Sequence, residues 1–251
     1  MKPDIHIQAA SLSYQQHIVF KDISLDIPFG RHLVILGASG IGKTSLLRML
    51  AGLTAQNEMI SGKISTSNAI ALSLQTTYLA QQDRLLPWLT TLDNAALVLK
   101  LRHHSRAETV RKRELAHHLL ERAGLGRAKA LFPHQLSSGM RQRAALVRTL
   151  LEEKPVILMD EPFSALDTLT RFQLQNLAHD MLREKTVIMI THDPQEALRL
   201  GDEIYLMQGA PANLTFIAVP DKQPPRDLRA PECSQWTADI FAVLLNQAQP
   251  A

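Results

Sequence analysis

The sequence predicts an α/β fold built around a buried parallel sheet, and two observations predict it. Short, almost purely apolar runs recur at residues 33–36, 156–159 and 187–190, and each is followed by a polar segment and a helical pattern. Runs of this length and composition are typical of parallel strands that helices cover on both faces. A glycine-rich loop directly follows the first run, which places a candidate binding segment at the end of a strand.

The N-terminal stretch has a different periodicity. Its apolar residues alternate with polar ones, and turn-like polar clusters interrupt the alternation. A period of two predicts antiparallel strands with one buried face, so we expect an antiparallel β-subdomain ahead of the parallel core. The alternating apolar residues are Ile5, Ile7, Leu12, Tyr14, Ile18, Phe20, Ile23, Leu25 and Ile27.

A helical pattern occupies the middle of the chain, between Pro87 and Leu151. Segments 91–101 and 105–123 place Leu and Ala on one face and charged side chains on the other, which predicts amphipathic helices. We interpret residues 87–151 as an α-helical subdomain inserted into a main domain over residues 1–209. A short, proline-rich C-terminal extension follows over residues 210–251, with a predicted helix near residues 236–245.

The composition is that of an ordinary globular protein. Of 251 residues, 45% are hydrophobic, and 27 basic residues nearly balance 24 acidic ones, so that the charge demands no nucleic-acid partner. The single cysteine, Cys233, excludes an intrachain disulfide, and the N-terminus lacks the apolar core of a signal peptide. No run approaches the roughly 18 apolar residues of a membrane span, so we expect a cytosolic chain that reaches a membrane only through a partner.

The glycine-rich loop fits the phosphate-loop pattern, which ends in Gly-Lys-Ser or Gly-Lys-Thr. Triphosphate binding needs backbone N–H groups on one concave loop, which glycine permits, and the positive end of the following helix. Lys43 would reach the β- and γ-phosphates of ATP, and the Thr44 hydroxyl would bind Mg²⁺. The alternative, a glycine-rich turn without a ligand, leaves the flanking strand and helix unexplained. The predicted nucleotide-binding residues here are Gly37, Ala38, Ser39, Gly40, Ile41, Gly42, Lys43, Thr44 and Ser45.

Two adjacent carboxylates, Asp160 and Glu161, follow the second apolar run. Asp160 would hold Mg²⁺ through its water shell, and Glu161 would orient and polarise the water that attacks the γ-phosphate. In isolation, an Asp-Glu pair at a strand end is more often the start of a solvated loop. Its position downstream of a phosphate loop favours the catalytic interpretation.

Further motifs occur in the order found in one family. Residues 136–140 read Leu-Ser-Ser-Gly-Met, residues 164–167 read Ser-Ala-Leu-Asp, and residues 191–193 read Thr-His-Asp. These segments resemble the signature, the D-loop and the histidine switch of ABC transporter ATP-binding subunits, and Gln81 resembles the glutamine of their Q-loop. The resemblance covers residues 3–245. The fold that it implies is a P-loop NTPase of the ABC cassette type, with an N-terminal antiparallel β-subdomain and an inserted α-helical subdomain.

The resemblance implies roles for individual residues. Ser137, Ser138 and Gly139 of a second copy would contact the γ-phosphate, so that ATP closes a homodimer. Tyr14 would stack on the adenine, although an isolated tyrosine in such a strand is more often a core residue. The catalytic residues implied are Glu161, His192 and Gln81, and the Mg²⁺ ligands implied are Thr44, Gln81 and Asp160.

The signature departs from the usual pattern at two positions, with Ser138 in place of glycine and Met140 in place of a frequent glutamine. A side chain at position 138 would crowd the γ-phosphate, so we expect an altered rate and retained function. Residues 139–143, 84–88 and 224–227 resemble importers of nitrate, sulfonates or taurine, a group that also includes importers of thiamine precursors. The adjacent Gln82 could also be the glutamine that resembles the Q-loop residue. We choose Gln81 because its distance along the chain to residues 85–88 resembles that in the family.

The resemblance also implies partners. An importer ATPase would work with a second copy of itself, with transmembrane permease subunits and, indirectly, with a periplasmic or lipid-anchored solute-binding protein. It would lie at the cytoplasmic face of the bacterial inner membrane. The permease would dock near Gln81, where Leu85, Leu86 and Trp88 supply apolar contacts or, alternatively, only pack the subdomain.

Two other functions fit the sequence less well. A non-transport soluble ABC ATPase would carry an extra basic arm, coiled coil or second cassette, and a small-molecule kinase would not need the signature or the histidine switch. The substrate stays open among sulfonates, taurine, nitrate and a pyrimidine thiamine precursor, because this subunit would not touch it.

Overall fold

The structure is a computed structural model, and it describes residues 2–102, 105–217 and 222–247. The described residues divide into two compact units. The first contains the residues up to Thr76, the segment Pro155–Glu161 and the residues from Leu182 onward. The second contains Thr77–Lys154 and Pro162–Met181.

Strands and helices alternate along much of the chain. The strands are β1 (Ile5–Tyr14), β2 (His17–Ile27), β3 (His32–Leu36), β4 (Glu58–Thr66), β5 (Thr76–Leu79), β6 (Val156–Asp160), β7 (Thr186–Thr191), β8 (Glu203–Gln208) and β9 (Asn213–Ile217). The helices are α1 (Lys43–Leu50), α2 (Leu72–Gln75), α3 (Thr91–Ala95), α4 (Val98–Leu101), α5 (Arg106–Arg122), α6 (Ser138–Leu151), α7 (Thr168–Leu182), α8 (Pro194–Leu200) and α9 (Pro231–Gln247). Within the described ranges, no helix combines the length and the apolar character needed to cross a bilayer.

The N-terminal part of the first unit is an antiparallel sheet in the order β2, β1, β4. β1 pairs with β2 from Ile5 opposite Ile27 to Tyr14 opposite His17, as the alternating pattern predicts. The sequence pattern does not predict β4, because most of its residues are exposed and it contains Gly62 with φ of +90°. A strand without a buried apolar face leaves little period-two signal.

A parallel sheet forms the core of the same unit. β6, β7, β3 and β8 lie side by side in this order, and β9 pairs antiparallel with β8. Every residue of β3, β6 and β7 is buried, which confirms the three strands expected from the apolar runs. Since parallel strands end at the same edge of a sheet, the segments that follow these three strands meet there.

The second unit consists largely of helices. α5 begins at Arg106 behind a capping box, in which the Ser105 hydroxyl accepts from the Glu108 backbone N–H and the Glu108 carboxylate accepts from the Ser105 backbone N–H. These two bonds satisfy donors that the first helical turn leaves without partners. The helix predicted over residues 105–123 is therefore present, with its start fixed by this cap.

The helical pattern predicted over residues 91–101 is present, but as two short helices, α3 and α4, with a break between them. Between them the backbone bonds shorten to the i→i−3 type, with the amides of Leu97, Leu99 and Lys100 donating to the carbonyls three residues earlier. Such bonds tighten the backbone and interrupt a regular α-helix. The periodicity of apolar residues survives this change, so the sequence pattern does not reveal it.

An ion-pair cluster ties α5 to the end of α6 in the second unit. The Glu153 carboxylate lies 2.7 Å from Arg111 Nη2 and 3.0 Å from Lys112 Nζ, and Lys112 is buried and also donates to the Leu151 carbonyl. The hydrogen bond from Arg111, followed by that from Lys112, lowers the pKa of Glu153 to about 2. The folded protein therefore favours the ionised carboxylate.

We expect Glu153→Gln to lower the free energy of unfolding at pH 7 by about 1 kcal/mol, because the carboxylate is partly exposed and solvent screens the pair. The pKa of Glu153 falls on folding, so its contribution is present above the ordinary glutamate pKa and disappears as the pH falls toward 2. Urea unfolding at pH 7 and at pH 3 measures this, with the exposed Glu114→Gln as the control. If the wild type exceeded Glu153→Gln in free energy of unfolding by the same amount at both pH values, the lowered pKa of Glu153 would be contradicted.

Candidate nucleotide site

The predicted phosphate loop joins β3 to α1 in the first unit. Gly40 has φ of +81° and Gly42 has φ of +110°, a region that glycine reaches without strain. A Cβ atom at Gly42 would lie 2.6 Å from Val19 Cγ1, and one at Gly37 would lie 2.7 Å from the Met207 carbonyl oxygen. The backbone conformation therefore favours glycine at position 40, the close neighbour requires it at position 37, and both reasons apply at position 42.

Lys43 is the first residue of α1, and its side chain turns back over the loop. Its Nζ donates to the carbonyl oxygens of Gly37 at 2.8 Å and Ala38 at 2.9 Å, and lies 4.0 Å from Glu161 Oε1. Burial lowers the pKa of Lys43, and the charges of Glu161 and Asp160 oppose that shift. The ammonium group is thus held beside the two carboxylates.

Thr44 and Asp160 form the second pair of the site. The Thr44 hydroxyl donates to Asp160 Oδ1 at 3.1 Å, and Asp160 ends β6 in a buried position. A hydroxyl and a carboxylate at this distance fit Mg²⁺, which prefers oxygen ligands and commonly takes one or two from protein and the rest from phosphates and water. No cluster of three or more His, Cys, Asp or Glu side chains suited to a metal occurs in the part of the chain that the structure describes.

Glu161 lies next to the imidazole of His192. Its Oε2 is 3.1 Å from His192 Nδ1, and its backbone N–H donates to the Ile190 carbonyl at 3.1 Å. The carboxylate is mostly buried, with 15% of the side chain exposed, whereas half of the imidazole is exposed. Glu161 has φ of +44°, a conformation that costs a non-glycine residue about 1–3 kcal/mol and is concentrated at functional sites.

Tyr14 lies at the end of β1 in the same unit and is half-buried. Its hydroxyl donates to Glu58 Oε1 at 2.7 Å, and this hydrogen bond lowers the pKa of Glu58. Glu58 also accepts from the Ala55 backbone N–H. The sequence analysis missed Glu58, because a single glutamate 44 residues away from Tyr14 carries no local signal.

The remaining predicted site residues belong to the second unit. Ser137 caps α6, with its Oγ accepting from the Met140 backbone N–H, and Ser138 is the exposed first residue of that helix. Gly139 is buried, and a Cβ atom there would overlap the Thr170 side chain of α7. Within this unit Ser138 is therefore accommodated at the surface, whereas Gly139 is required by packing.

Gln81 is exposed in the second unit, and its side chain is oriented by a neighbour. The Gln81 Nε2 donates to Ser164 Oγ at 3.3 Å. Ser164 is the first residue of the segment that resembles the D-loop. The contact joins two of the predicted motifs within this unit.

The chain matches known proteins over most of its length. A protein-family model described as ABC transporter matches residues 20–164. An uncharacterized ABC transporter ATP-binding protein of Haemophilus influenzae is 37% identical over 93% of this chain and 94% of its own length. The aliphatic sulfonates import ATP-binding protein SsuB of Delftia acidovorans is 42% identical over 81% of this chain and 79% of its own length. The nitrate transport protein NasD of Klebsiella oxytoca is 35% identical over 84% of this chain and 83% of its own length.

A solved structure agrees with these relatives. It is the dimeric post-hydrolysis state of the ATP-binding cassette MJ0796 bound to ADP and Pi, which is 27% identical to this chain with a TM-score of 0.69. The likeness covers 89% of this chain and 99% of that one. The phosphate loop, the paired carboxylates and this similarity over nearly the whole chain lead to one conclusion. The chain belongs to the ABC transporter family of ATP-binding proteins and is an ABC-type ATPase with the ABC cassette fold.

Proposed function

We propose that this ATPase is the energy-supplying subunit of an ABC importer, coupling ATP binding and hydrolysis to solute uptake through permease subunits. The observation that carries the proposal is the meeting of Lys43, Glu161 and His192 at the carboxyl edge of the parallel sheet. The named relatives support the direction of transport, since several are import ATP-binding proteins. They also make a non-transport soluble ABC ATPase the less favoured function.

The site residues of the first unit would have different roles in ATP hydrolysis. The loop from Gly37 to Ser45 presents backbone N–H groups to the phosphates, and Lys43 exchanges its carbonyl partners for β- and γ-phosphate oxygens. Thr44 and Asp160 would hold Mg²⁺, which would supply positive charge to the phosphates. Glu161 then accepts the proton of the attacking water.

His192 and Tyr14 complete the proposed site in the first unit. His192 Nδ1 is 3.1 Å from Glu161 Oε2, so the imidazole would orient the carboxylate, and its other ring nitrogen would contact the γ-phosphate. Gln81, in the second unit, would respond to the permease. Tyr14 would carry the adenine, with its hydroxyl fixed by Glu58.

A second copy of the chain would supply the remaining contacts. Ser137, Ser138 and Gly139 stand at the N-terminus of α6, where the helix dipole favours an anion. In a dimer these residues would face the γ-phosphate bound by the partner's loop. The dimeric form of the similar MJ0796 cassette supports this arrangement.

The permease would contact the second unit near Trp88. Leu85 is buried within the unit, but Trp88 is 69% exposed, which favours docking over core packing for the tryptophan. A large exposed aromatic side chain is the type of residue that dominates an interface. Through the permease the chain would lie at the cytoplasmic face of the bacterial inner membrane.

We expect Trp88→Ala to weaken retention of the subunit on permease-containing membranes by about 2 kcal/mol or more. ATPase activity and melting temperature of the isolated subunit should stay near the wild-type values, because the side chain lies outside the packed interior. Phe216→Ala, which removes an exposed aromatic from the first unit, serves as the control and should be retained normally. Normal retention of Trp88→Ala with a lowered melting temperature would instead assign Trp88 to packing.

The relatives' names support a sulfonate or nitrate as the substrate. The sequence resemblance adds taurine and a pyrimidine thiamine precursor as further candidates. A solute-binding protein with a permease would deliver the substrate. The test is to reconstitute this chain with the permease in liposomes, add the binding protein, and measure uptake of each labelled solute. ATP-dependent uptake of one of them would support the proposal, and ATP hydrolysis that no binding protein stimulates would contradict it. Melting of the binding protein with each solute identifies the ligand independently.

A further inference from the structure

His192 is followed immediately by a short helix whose start is fixed by side chains. α8 begins at Pro194, and Asp193 caps it by accepting from the Gln195 backbone N–H. At the same end, the Thr191 hydroxyl donates to Glu196 Oε2 at 2.7 Å in a buried contact. The orientation of the His192 backbone is therefore tied to the orientation of α8.

A helix of seven residues depends on its tertiary contacts. Isolated helices shorter than about 12 residues are marginal in water, so α8 needs contacts at both ends to keep one position. Its last carbonyl groups lack partners within the helix and must find them elsewhere. The structure shows where those partners come from.

Arg226, in the C-terminal extension, satisfies the carboxyl end of α8. Its Nη1 donates to the carbonyl oxygens of Leu198 at 2.8 Å and Gly201 at 2.6 Å, and its backbone N–H donates to the Arg199 carbonyl at 2.9 Å. A guanidinium at this end of a helix also interacts favourably with the helix dipole. One residue thus serves three carbonyl groups in and just beyond the last turn.

The contact is reciprocal and buried. Arg199 Nη1 donates back to the Arg226 carbonyl at 2.8 Å, and each arginine is only 4% exposed. Burial lowers the pKa of both groups, opposed by Asp202 near Arg226 and by Asp227 near Arg199. Burying two guanidinium groups is unfavourable unless their hydrogen bonds are well formed, so the geometry here is demanding.

We propose that Arg226 is a positioning residue for ATP hydrolysis, through which the C-terminal extension holds α8 and thereby keeps His192 against Glu161. The inference rests on the proposed catalytic roles of His192 and Glu161. It gives the tail a function in the reaction, although the described contacts of Arg226 lie at the far end of α8 and not at the phosphate loop. The extension acts on the end of α8 opposite to His192.

The kinetic test compares Arg226→Ala and Arg226→Lys with Arg229→Ala, which removes an exposed arginine bonded only to Asp227 in the described contacts. Arg226→Ala should lower kcat by on the order of tenfold, since small misplacements of a catalytic group have large effects. The KM for ATP should change by less than about twofold, because the phosphate loop is unaffected. Arg226→Lys should restore part of kcat, and Arg229→Ala should match the wild type.

A second readout observes His192 without activity. In protein labelled with ¹⁵N-histidine, the His192 ring signals are assigned by their loss in His192→Gln. They should shift or broaden in Arg226→Ala and stay in place in Arg229→Ala, below the unfolding temperature of each variant. If Arg226→Ala does not fold, Arg226→Lys carries both measurements.

Unchanged ring signals together with wild-type kcat in a folded Arg226 variant would overturn the proposal. A lowered melting temperature with those two readouts unchanged would mean that Arg226 only stabilises the fold. Failure of the proposed importer function would look different. The wild-type chain would then hydrolyse ATP without coupling it to uptake, and the His192 ring signals would still respond to Arg226→Ala.

Discussion

Replacing Glu161 by glutamine should leave ATP binding intact and reduce turnover on the order of a hundredfold or more. The substitution keeps the size of the side chain and one oxygen, but it removes the charge that polarises water. The contact with His192 can persist as a hydrogen bond, so the local structure should hold. Single-turnover hydrolysis and equilibrium binding of labelled ATP separate the two effects.

The matched control is Glu184→Gln, which removes the same charge from an exposed position. Its turnover should equal that of the wild type. If Glu161→Gln also kept near-normal turnover, another group would have to be the base, and the position of Glu161 at the end of β6 would be unrelated to catalysis. Weak ATP binding by the variant would point instead to a disturbed phosphate loop.

Replacing Lys43 by alanine should weaken ATP binding about tenfold to a hundredfold, the effect of losing hydrogen bonds from one charged group. Lys43 is buried beside Glu161 and Asp160, so its removal also leaves two carboxylates facing the phosphates without the ammonium charge between them. The glycine backbone of the loop would remain. Isothermal titration with ATP and Mg²⁺ measures the affinity directly.

Lys63→Ala removes an exposed lysine from β4 and should bind ATP as the wild type does. A melting curve of the Lys43 variant without nucleotide shows whether the loop still folds, because Lys43 also donates to the carbonyls of Gly37 and Ala38. Equal ATP affinity in Lys43→Ala and the wild type would remove Lys43 from the proposed site.

The parallel core was predictable from the sequence because its strands are buried on both faces. β3, β6 and β7 consist of apolar residues almost throughout, and each leads into a polar motif. β4 and β9 could not be predicted in this way, since their side chains are largely exposed and show no regular apolar pattern. Apolar periodicity indicates which residues are buried, so it does not detect a strand that is held mainly by backbone hydrogen bonds.

The phosphate loop could be identified in the sequence because its chemistry requires glycine at fixed spacing within one short segment. The contact between His192 and Glu161 could not, since it depends on β6 lying beside β7. The same holds for Arg226 and the end of α8, where the partners are 25 to 28 residues apart. The roles of all these residues remain predictions that the variants above address.

The central claim is that two copies of this chain share ATP. Its most direct test is the molar mass of Glu161→Gln, measured by light scattering with and without ATP. Because bound ATP would connect the phosphate loop of one copy to Ser137, Ser138 and Gly139 of the other, and the variant hydrolyses it slowly, ATP should double the mass. Without nucleotide, or with Lys43→Ala added, the mass should stay that of one chain. A monomer at ATP concentrations that saturate binding would contradict the shared site.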